Sequence, residues 1–191
     1  MLIGSNNSLT YLRPSNGWFK VLNRLGKCQN IDYADQYAFW GVRLFDFRLS
    51  ADKNNHIVAK NGDFVYPLYS FYEILDYFNK RADAIVYITL DSYGDKSIER
   101  KFIEICNVID TIYEDAMLCG GYRRFDNEKL YHFSWEHNNG MPTMIQPSEW
   151  SWKYRFVTKW FPMFIGKLNR KYIEQFKNQH GYLMLNYVNK R

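Results

Sequence analysis

Apolar positions recur with two different periods along the chain, and the switches between them mark alternating strands and helices. From Val42 to Leu49 the period is two, so Arg43, Phe45 and Phe47 share one face while Leu44, Asp46 and Arg48 share the other. The pattern predicts a strand that turns two opposite charges toward one side. Leu2-Ile3, followed by the polar run Gly4-Ser5-Asn6-Asn7-Ser8, predicts a short opening strand, and Ile57 to Lys60, ending at Asn61-Gly62, predicts a third. Ala84 to Leu90 reads as a buried strand. Shorter strands are expected near Ala116 to Cys119 and Tyr131 to Trp135, with a closing strand from Tyr182 to Val188. Helical spacing covers Ile31 to Trp40, stopped by Gly41, then Tyr69 to Asn79, Ser97 to Tyr113 and Asn169 to Gln179.

Strand and helix therefore alternate, with no repeat, low-complexity tract or linker between them. One α/β domain over residues 1–191 is expected, its parallel sheet wrapped by helices into a compact, distorted or incomplete TIM-type (β/α) barrel. Because 191 residues fall short of the roughly 250 typical of such barrels, some outer helices should be reduced or absent. Barrel chemistry gathers at the carboxyl ends of the strands. On this reading the Gly4 to Ser8 turn, the Asp46/Arg48 pair, Asn61-Gly62 and Asp91 occupy four successive strand ends. Singly, each is a turn residue or an ion pair. Together they predict a shared pocket, with a turn-rich barrel rim as the alternative.

Composition narrows the class. An apolar share of 47% with 24% charged residues excludes disordered, collagen-like and disulfide-scaffold chains. No uncharged apolar run reaches the roughly 18 residues of a spanning helix, and the opening MLIGSNNSLTYLRPSNGWFK lacks the pattern of a signal peptide. A cytoplasmic or membrane-peripheral location is expected. Cys28, Cys106 and Cys119 are an odd number at no metal-ligand spacing and read as buried small hydrophobes in a reducing compartment. The net charge of +5 suits an anionic partner without choosing among nucleic acid, phospholipid and phosphorylated small molecules. From Trp150 to Ile173 six basic residues and no acidic one are interleaved with eight aromatics. The stretch suits a lipid headgroup layer, a groove for bases and phosphates, or a core helix with a solvated basic face. Pro162 and Gly166 argue against one long membrane-surface helix.

The segments IGSNNSLTY (3–11), CQNIDYADQY (28–37), GVRLFDFRLS (41–50) and IVAKNGD (57–63) resemble, in order and spacing, the catalytic X-domain of the phosphatidylinositol-specific phospholipase C superfamily, with bacterial, metal-independent members most similar. Gly4, Ser5, Asn7, Ser8, Gln29, Gln36, Gly41, Arg43, Asp46, Arg48 and Gly62 fit the pattern. Asn6 and Asn61 stand where the family has its two catalytic histidines, the general base and the general acid. The resemblance implies that Arg48 stabilises the phosphate, that Asp46 orients Arg48 or a base, and that Asn7 bonds the phosphate or the acid. It implies no metal and no cofactor. Arg13, Lys60, Asp91 and Tyr187 are weaker candidates for headgroup or phosphate contacts, with surface or core roles as the alternatives.

An amide does not titrate near neutral pH, so Asn6 and Asn61 cannot exchange protons with a substrate. Each lost step is worth roughly 10² to 10⁴ in rate, and the chain as written is expected to be inactive or nearly so. His56, read as lying at the opposite barrel end, and His180 offer no replacement; His132 or His137 could approach the pocket. Drift would have eroded Arg48, Asp46, Gln29 and Asn7 as well. Deliberate inactivation, favoured by the same residue at both positions, and a relative that binds a phosphodiester or cyclic nucleotide without cleaving it remain as readings. The ligand expected in either case is an anionic diester: an inositol lipid, a glycerophosphodiester or a cyclic nucleotide. Lipid contact through 150–173 is a further expectation, and nucleic acid a less favoured one.

Overall fold

A computed structural model describes residues 1–15, 17–52, 54, 56–90, 96–112, 117–123, 130–133 and 142–191. Asp91 and His137 lie outside the described residues, as do the side chains of Cys106, Cys119 and His132. In chain order the strands are β1 (Leu2–Ser5), β2 (Val42–Ala51), β3 (Ile57–Asn61), β4 (Phe64–Pro67), β5 (Ile85–Leu90), β6 (Met117–Arg123), β7 (Leu130–Phe133), β8 (Met144–Ile145) and β9 (Tyr182–Leu185). The α-helices are α1 (Asn23–Gly26), α2 (Tyr33–Ala38), α3 (Phe71–Asn79), α4 (Lys96–Ile112), α5 (Pro147–Trp150), α6 (Trp152–Trp160) and α7 (Ile165–Phe176). No described helix is long and apolar enough to cross a membrane.

The sheet runs β7-β6-β5-β2-β1-β9-β8, and among the described residues its two ends do not pair. Pairing is parallel from β6 through β5, β2, β1 and β9 to β8, as a (β/α) barrel demands. The result is a distorted, unclosed barrel. Two departures from strict strand–helix alternation correct the expectation. β6 and β7 form an antiparallel pair, and β3 pairs antiparallel with β2 and with β4, off the main path. Asn61 faces Phe64 across the loop Gly62-Asp63, and Gly62 adopts φ +58°, the left-handed conformation such a two-residue hairpin loop requires. Because β3 folds back along the end of β2, Ile57 lies opposite Ala51. His56 therefore stands beyond the carboxyl end of β2, not at the opposite barrel end; its Nδ1 lies 3.3 Å from Asp52 Oδ2. β2 also extends to Ala51, so Asp46 and Arg48 sit within the strand, not at its end.

Alternation along β2 divides the core. Phe45 and Phe47 pack outward on Phe78 of α3, with ring centroids 4.5 Å and 6.0 Å apart, inside the main apolar cluster beneath the helices. Leu44 faces inward, where it meets Ile85 and Met184 as a small apolar plug. Gly4 lines the same interior. A Cβ there would fall 2.2 Å from Met184 Sδ, so the missing side chain makes room for the plug. Farther along, the inward positions are Asp46 and Arg48 on β2, paired in register with Tyr87 and Thr89 on β5. The barrel is thus apolar at its floor and polar toward the carboxyl ends. In the 150–173 stretch the helix breaks at Phe161-Pro162, whereas Gly166 lies inside α7.

Phe78 is buried against Phe45 and Phe47 of β2 and Tyr33 of α2. Phe78→Ala is expected to cost about 3–5 kcal/mol, read as a lower urea midpoint at unchanged slope.

Candidate active site

The polar end of the barrel is assembled around the carboxylate of Asp46, which is buried. Its Oδ2 accepts from the backbone N–H of Asn7 at 3.1 Å and from Arg48 Nε at 3.1 Å, while its backbone carbonyl accepts from Ser8 N at 2.8 Å. Asn7 can offer its N–H there because it adopts φ +46°, a conformation asparagine tolerates better than most residues. Arg48 is the bridge. Its Nη2 donates to Asn6 Oδ1 at 3.2 Å, and 32% of the side chain is exposed. The guanidinium is thereby fixed between a carboxylate and an amide while still reaching solvent.

Asn6 does not stop at Arg48. Its Nδ2 donates to Asn186 Oδ1 at 2.8 Å, and Asn186 Nδ2 donates onward to Thr158 Oγ1 on α6 at 3.1 Å. The Asn186 backbone N–H donates to the Tyr154 hydroxyl, which donates to Asn169 Oδ1 on α7. A continuous chain of neutral donors and acceptors therefore runs from the guanidinium to the outer helices. Asn61 reaches the same cluster from the hairpin side. Its Nδ2 donates to Gly26 O at 2.7 Å and lies 3.6 Å from Cys28 Sγ, which also has Asn7 Nδ2 at 3.8 Å.

Gln29 and Gln36 are braces for this arrangement. Gln29 Nε2 donates to the carbonyls of Asn6 and Leu185, and its Oε1 accepts from Val188 N, which ties the end of β1 to the end of β9. Gln36 Nε2 donates to the carbonyls of Ser8 and Ile31. Irregular backbone inside a barrel mouth needs such partners, because an unpaired buried carbonyl is costly.

The structure thus brings Asn6, Asn7, Asp46, Arg48 and Asn61 together. Tyr187 belongs instead to the core: its ring is buried, its backbone N–H donates to Cys28 O, and burial pushes its hydroxyl well above the usual tyrosine range. Arg13 is exposed and close enough to Lys27 that its charge, after burial, helps push that ammonium below its ordinary range. Lys60 is half-buried opposite Val65 in the hairpin. Three contributors went unread in the sequence, Asn186, Cys28 and Thr158, and Tyr87 and Thr89 stand in register beside Asp46 and Arg48. Period-two alternation in IVYITL puts Ile85, Tyr87 and Thr89 on one face, and Asn186 follows β9 just as Asn6 follows β1. A cavity of about 750 Å³ lies elsewhere, bounded by Ile57, Pro67, Phe71 and Ile105, and includes none of the clustered residues.

Burial pushes the Cys28 thiol up to about 11. It is therefore a neutral hydrogen-bonding group at neutral pH and no nucleophile. The unfolded chain would lose that proton first, near 9.0, so this contribution to stability is intact below that pH and falls as pH rises through the folded value. The stability gap between the parent chain and Cys28→Ala should narrow by roughly 1 kcal/mol between about pH 8 and about pH 10, measured by urea unfolding at the two pH values.

No family model and no curated protein sequence matches the chain. Solved structures do. A structure of the phosphatidylinositol-specific phospholipase C from S. aureus, determined in a study of its membrane binding, aligns at a TM-score of 0.60 with 14% identity, covering 97% of this chain and 85% of that one. A double mutant of the S. aureus enzyme aligns at 0.59 with 16% identity, over 97% and 84% of the two chains. The Listeria monocytogenes phosphatidylinositol-specific phospholipase C aligns at 0.59 with 11% identity, over 100% and 92%. Identity this low speaks for the fold alone, and on that ground the chain shares the distorted-barrel fold of these phosphatidylinositol-specific phospholipase C structures.

Proposed function

We propose that this chain is a phospholipase C-like phosphodiesterase domain that binds an anionic phosphodiester at the Arg48 cradle and does not cleave it. The observation that carries the reading is the fixed guanidinium, held by Asp46 Oδ2 and Asn6 Oδ1 with part of its surface open to solvent. A guanidinium preorganised in this way and partly exposed can donate to the non-bridging oxygens of a diester. An inositol lipid, a glycerophosphodiester and a cyclic nucleotide all present that group.

In-line attack by a neighbouring hydroxyl needs a base to take the proton and an acid to protonate the leaving oxygen. Asn6 and Asn61 can do neither, and both Nδ2 groups are already engaged, Asn6 with Asn186 and Asn61 with Gly26 O. His56 is exposed and paired with Asp52. Of the two readings of the asparagines, Asn186 favours binding without turnover. A base at position 6 is usually oriented and charge-stabilised by an acidic acceptor, whereas Asn186 supplies a neutral amide that is itself satisfied by Thr158. The surroundings of position 6 match a residue that stays neutral. Contact of residues 150–173 with a lipid surface belongs to the same reading.

Calorimetric titration with glycerophosphoinositol, glycerophosphocholine and cyclic AMP tests the cradle. At least one should bind without being hydrolysed, and Arg48→Ala should weaken it by about tenfold or more, the worth of a charge-assisted hydrogen bond. Unchanged affinity in that variant rejects the cradle. Because neither an amide nor a guanidinium titrates there, affinity should stay flat from about pH 5 to about pH 8. The double variant Asn6→His with Asn61→His restores a base and an acid. It should turn over the bound diester at least about 10²-fold faster than the parent chain, measured by ³¹P NMR of the products.

A further inference from the structure

The β3–β4 hairpin leaves the main path of the sheet, and its departure opens a wedge. β3 folds back along the end of β2, while α4 packs on β2 itself. Between hairpin and helix lies the cavity of about 750 Å³, with the start of α3 as its third wall. That volume falls within the roughly 300–1,000 Å³ of small-molecule sites. The interior is apolar. Val58 of β3, Leu68, Phe71 of α3 and Ile105 of α4 are buried core residues that turn part of their surface into the cavity. Water against such walls finds few partners, so an apolar solute that displaces it gains free energy.

Charged groups stand around this interior, and they are matched to one another. Lys101, Glu104, Ile105 and Val108 recur at spacings of three and four, so one face of α4 supplies both an apolar wall and a charged rim. Lys101 Nζ lies 4.0 Å from Glu104 Oε2. Across the cavity, Asp52 Oδ1 accepts from the backbone N–H groups of Asn54 and His56 at 2.8 and 2.9 Å, and its Oδ2 lies 3.3 Å from His56 Nδ1. Among the described lining residues no surplus of either sign is left to hold an ionic ligand. An anionic amphiphile would bring its charge beside Asp52 and Glu104, with Lys101 already facing Glu104. Rings favour a ring. Tyr72 stands edge-on to Phe71 with centroids 5.6 Å apart, and Tyr69, 94% exposed, adds a third aromatic group at the opening. Edges and faces set in this way pair best with another aromatic system.

We propose that this cavity binds an uncharged small molecule with an aromatic body. The proposal goes beyond the cradle reading and does not depend on it, because the cavity includes none of Asn6, Asp46, Arg48 and Asn61. The hairpin carries both: its tip holds Asn61 in the mouth, and its open end walls the cavity.

Two fluorescent probes that differ by one charge test the site on the full chain. N-phenyl-1-naphthylamine is uncharged, and 8-anilino-1-naphthalenesulfonate adds a sulfonate to the same ring body. The uncharged probe should bind at one site per chain with a Kd of about 10 µM or tighter. The sulfonate should bind at least about tenfold more weakly, even though the chain's net charge of +5 would favour an anion at a nonspecific surface. Val108→Trp puts a ring into the opening and should weaken the uncharged probe by about tenfold or more; Tyr72→Ala removes an aromatic wall and should weaken it by about threefold or more. Trp152→Ala, on the exposed side of α6, should leave it unchanged, and excess glycerophosphoinositol should not displace it. Absence of saturable binding overturns the proposal, as do equal or tighter binding of the sulfonate, unchanged affinity in both cavity variants, loss in Trp152→Ala, or displacement by glycerophosphoinositol. If Tyr72→Ala does not fold, Val108→Trp, at a partly exposed position, and the pair of probes still decide. Failure of the cradle in the calorimetric titration leaves these outcomes untouched.

Discussion

Burying the carboxylate of Asp46 inside a barrel is the constraint from which the rest of the site follows. A carboxylate removed from water must be bonded and paired, or it destabilises the fold. Asp46 Oδ2 meets both demands, through the N–H of Asn7 and the guanidinium of Arg48. The first bond requires the chain after β1 to turn through a left-handed residue, and the second holds Arg48 at a defined height in the mouth. Asn6 then lies where its Oδ1 can accept from the same guanidinium. One buried charge thus sets the path of a loop, the pose of a cation and the environment of a third residue.

From Asn6 outward, every link is neutral. Amide passes to amide at Asn186, then to a hydroxyl at Thr158, while Tyr154 and Asn169 satisfy the backbone alongside. Such a network is stiff because each member has its partners, and partial disruption would strand buried polar groups. On the hairpin side Cys28 takes a corresponding place, protonated by burial between the amides of Asn7 and Asn61. Two walls of the mouth are therefore lined by neutral hydrogen-bonding groups. That electrostatic character, more than the barrel itself, separates binding from turnover in the reading offered above.

Helix α6 has two unlike faces. Tyr154 and Thr158 face inward to the polar network, and Trp152, Phe156 and Trp160 face outward. A helix with an exposed aromatic stripe gives up hydration free energy unless something covers that stripe. The stripe lies on a helix that, with α7, also supports Asn186, which ties the surface and the site to a common element.

The period-two pattern of VRLFDFRL was enough to place Asp46 and Arg48 on one face of a strand, because side-chain direction along a strand is a local property of the backbone. Spacing likewise marked a strand from Ala84 to Leu90 and a helix from Ser97 to Tyr113, close to β5 and α4, and a helix from Asn169 to Gln179 that overlaps α7, whereas α5 and α6 were not marked. The Asn-Gly pair at 61–62 is a hairpin signal in its own right, yet reading β3 as one more parallel strand missed β4 and misplaced His56. Local patterning does not say which neighbour a strand will pair with, since antiparallel return and parallel crossover satisfy the same alternation. The partners of Asn6 and Asn61 were beyond any local pattern. Asn6 and Asn186 are 180 positions apart, and only the parallel pairing of β1 with β9 makes them neighbours. What the residues determined alone was which groups could carry charge or a proton; which of those groups meet was decided by long-range strand pairing, a cooperative outcome that no single segment encodes.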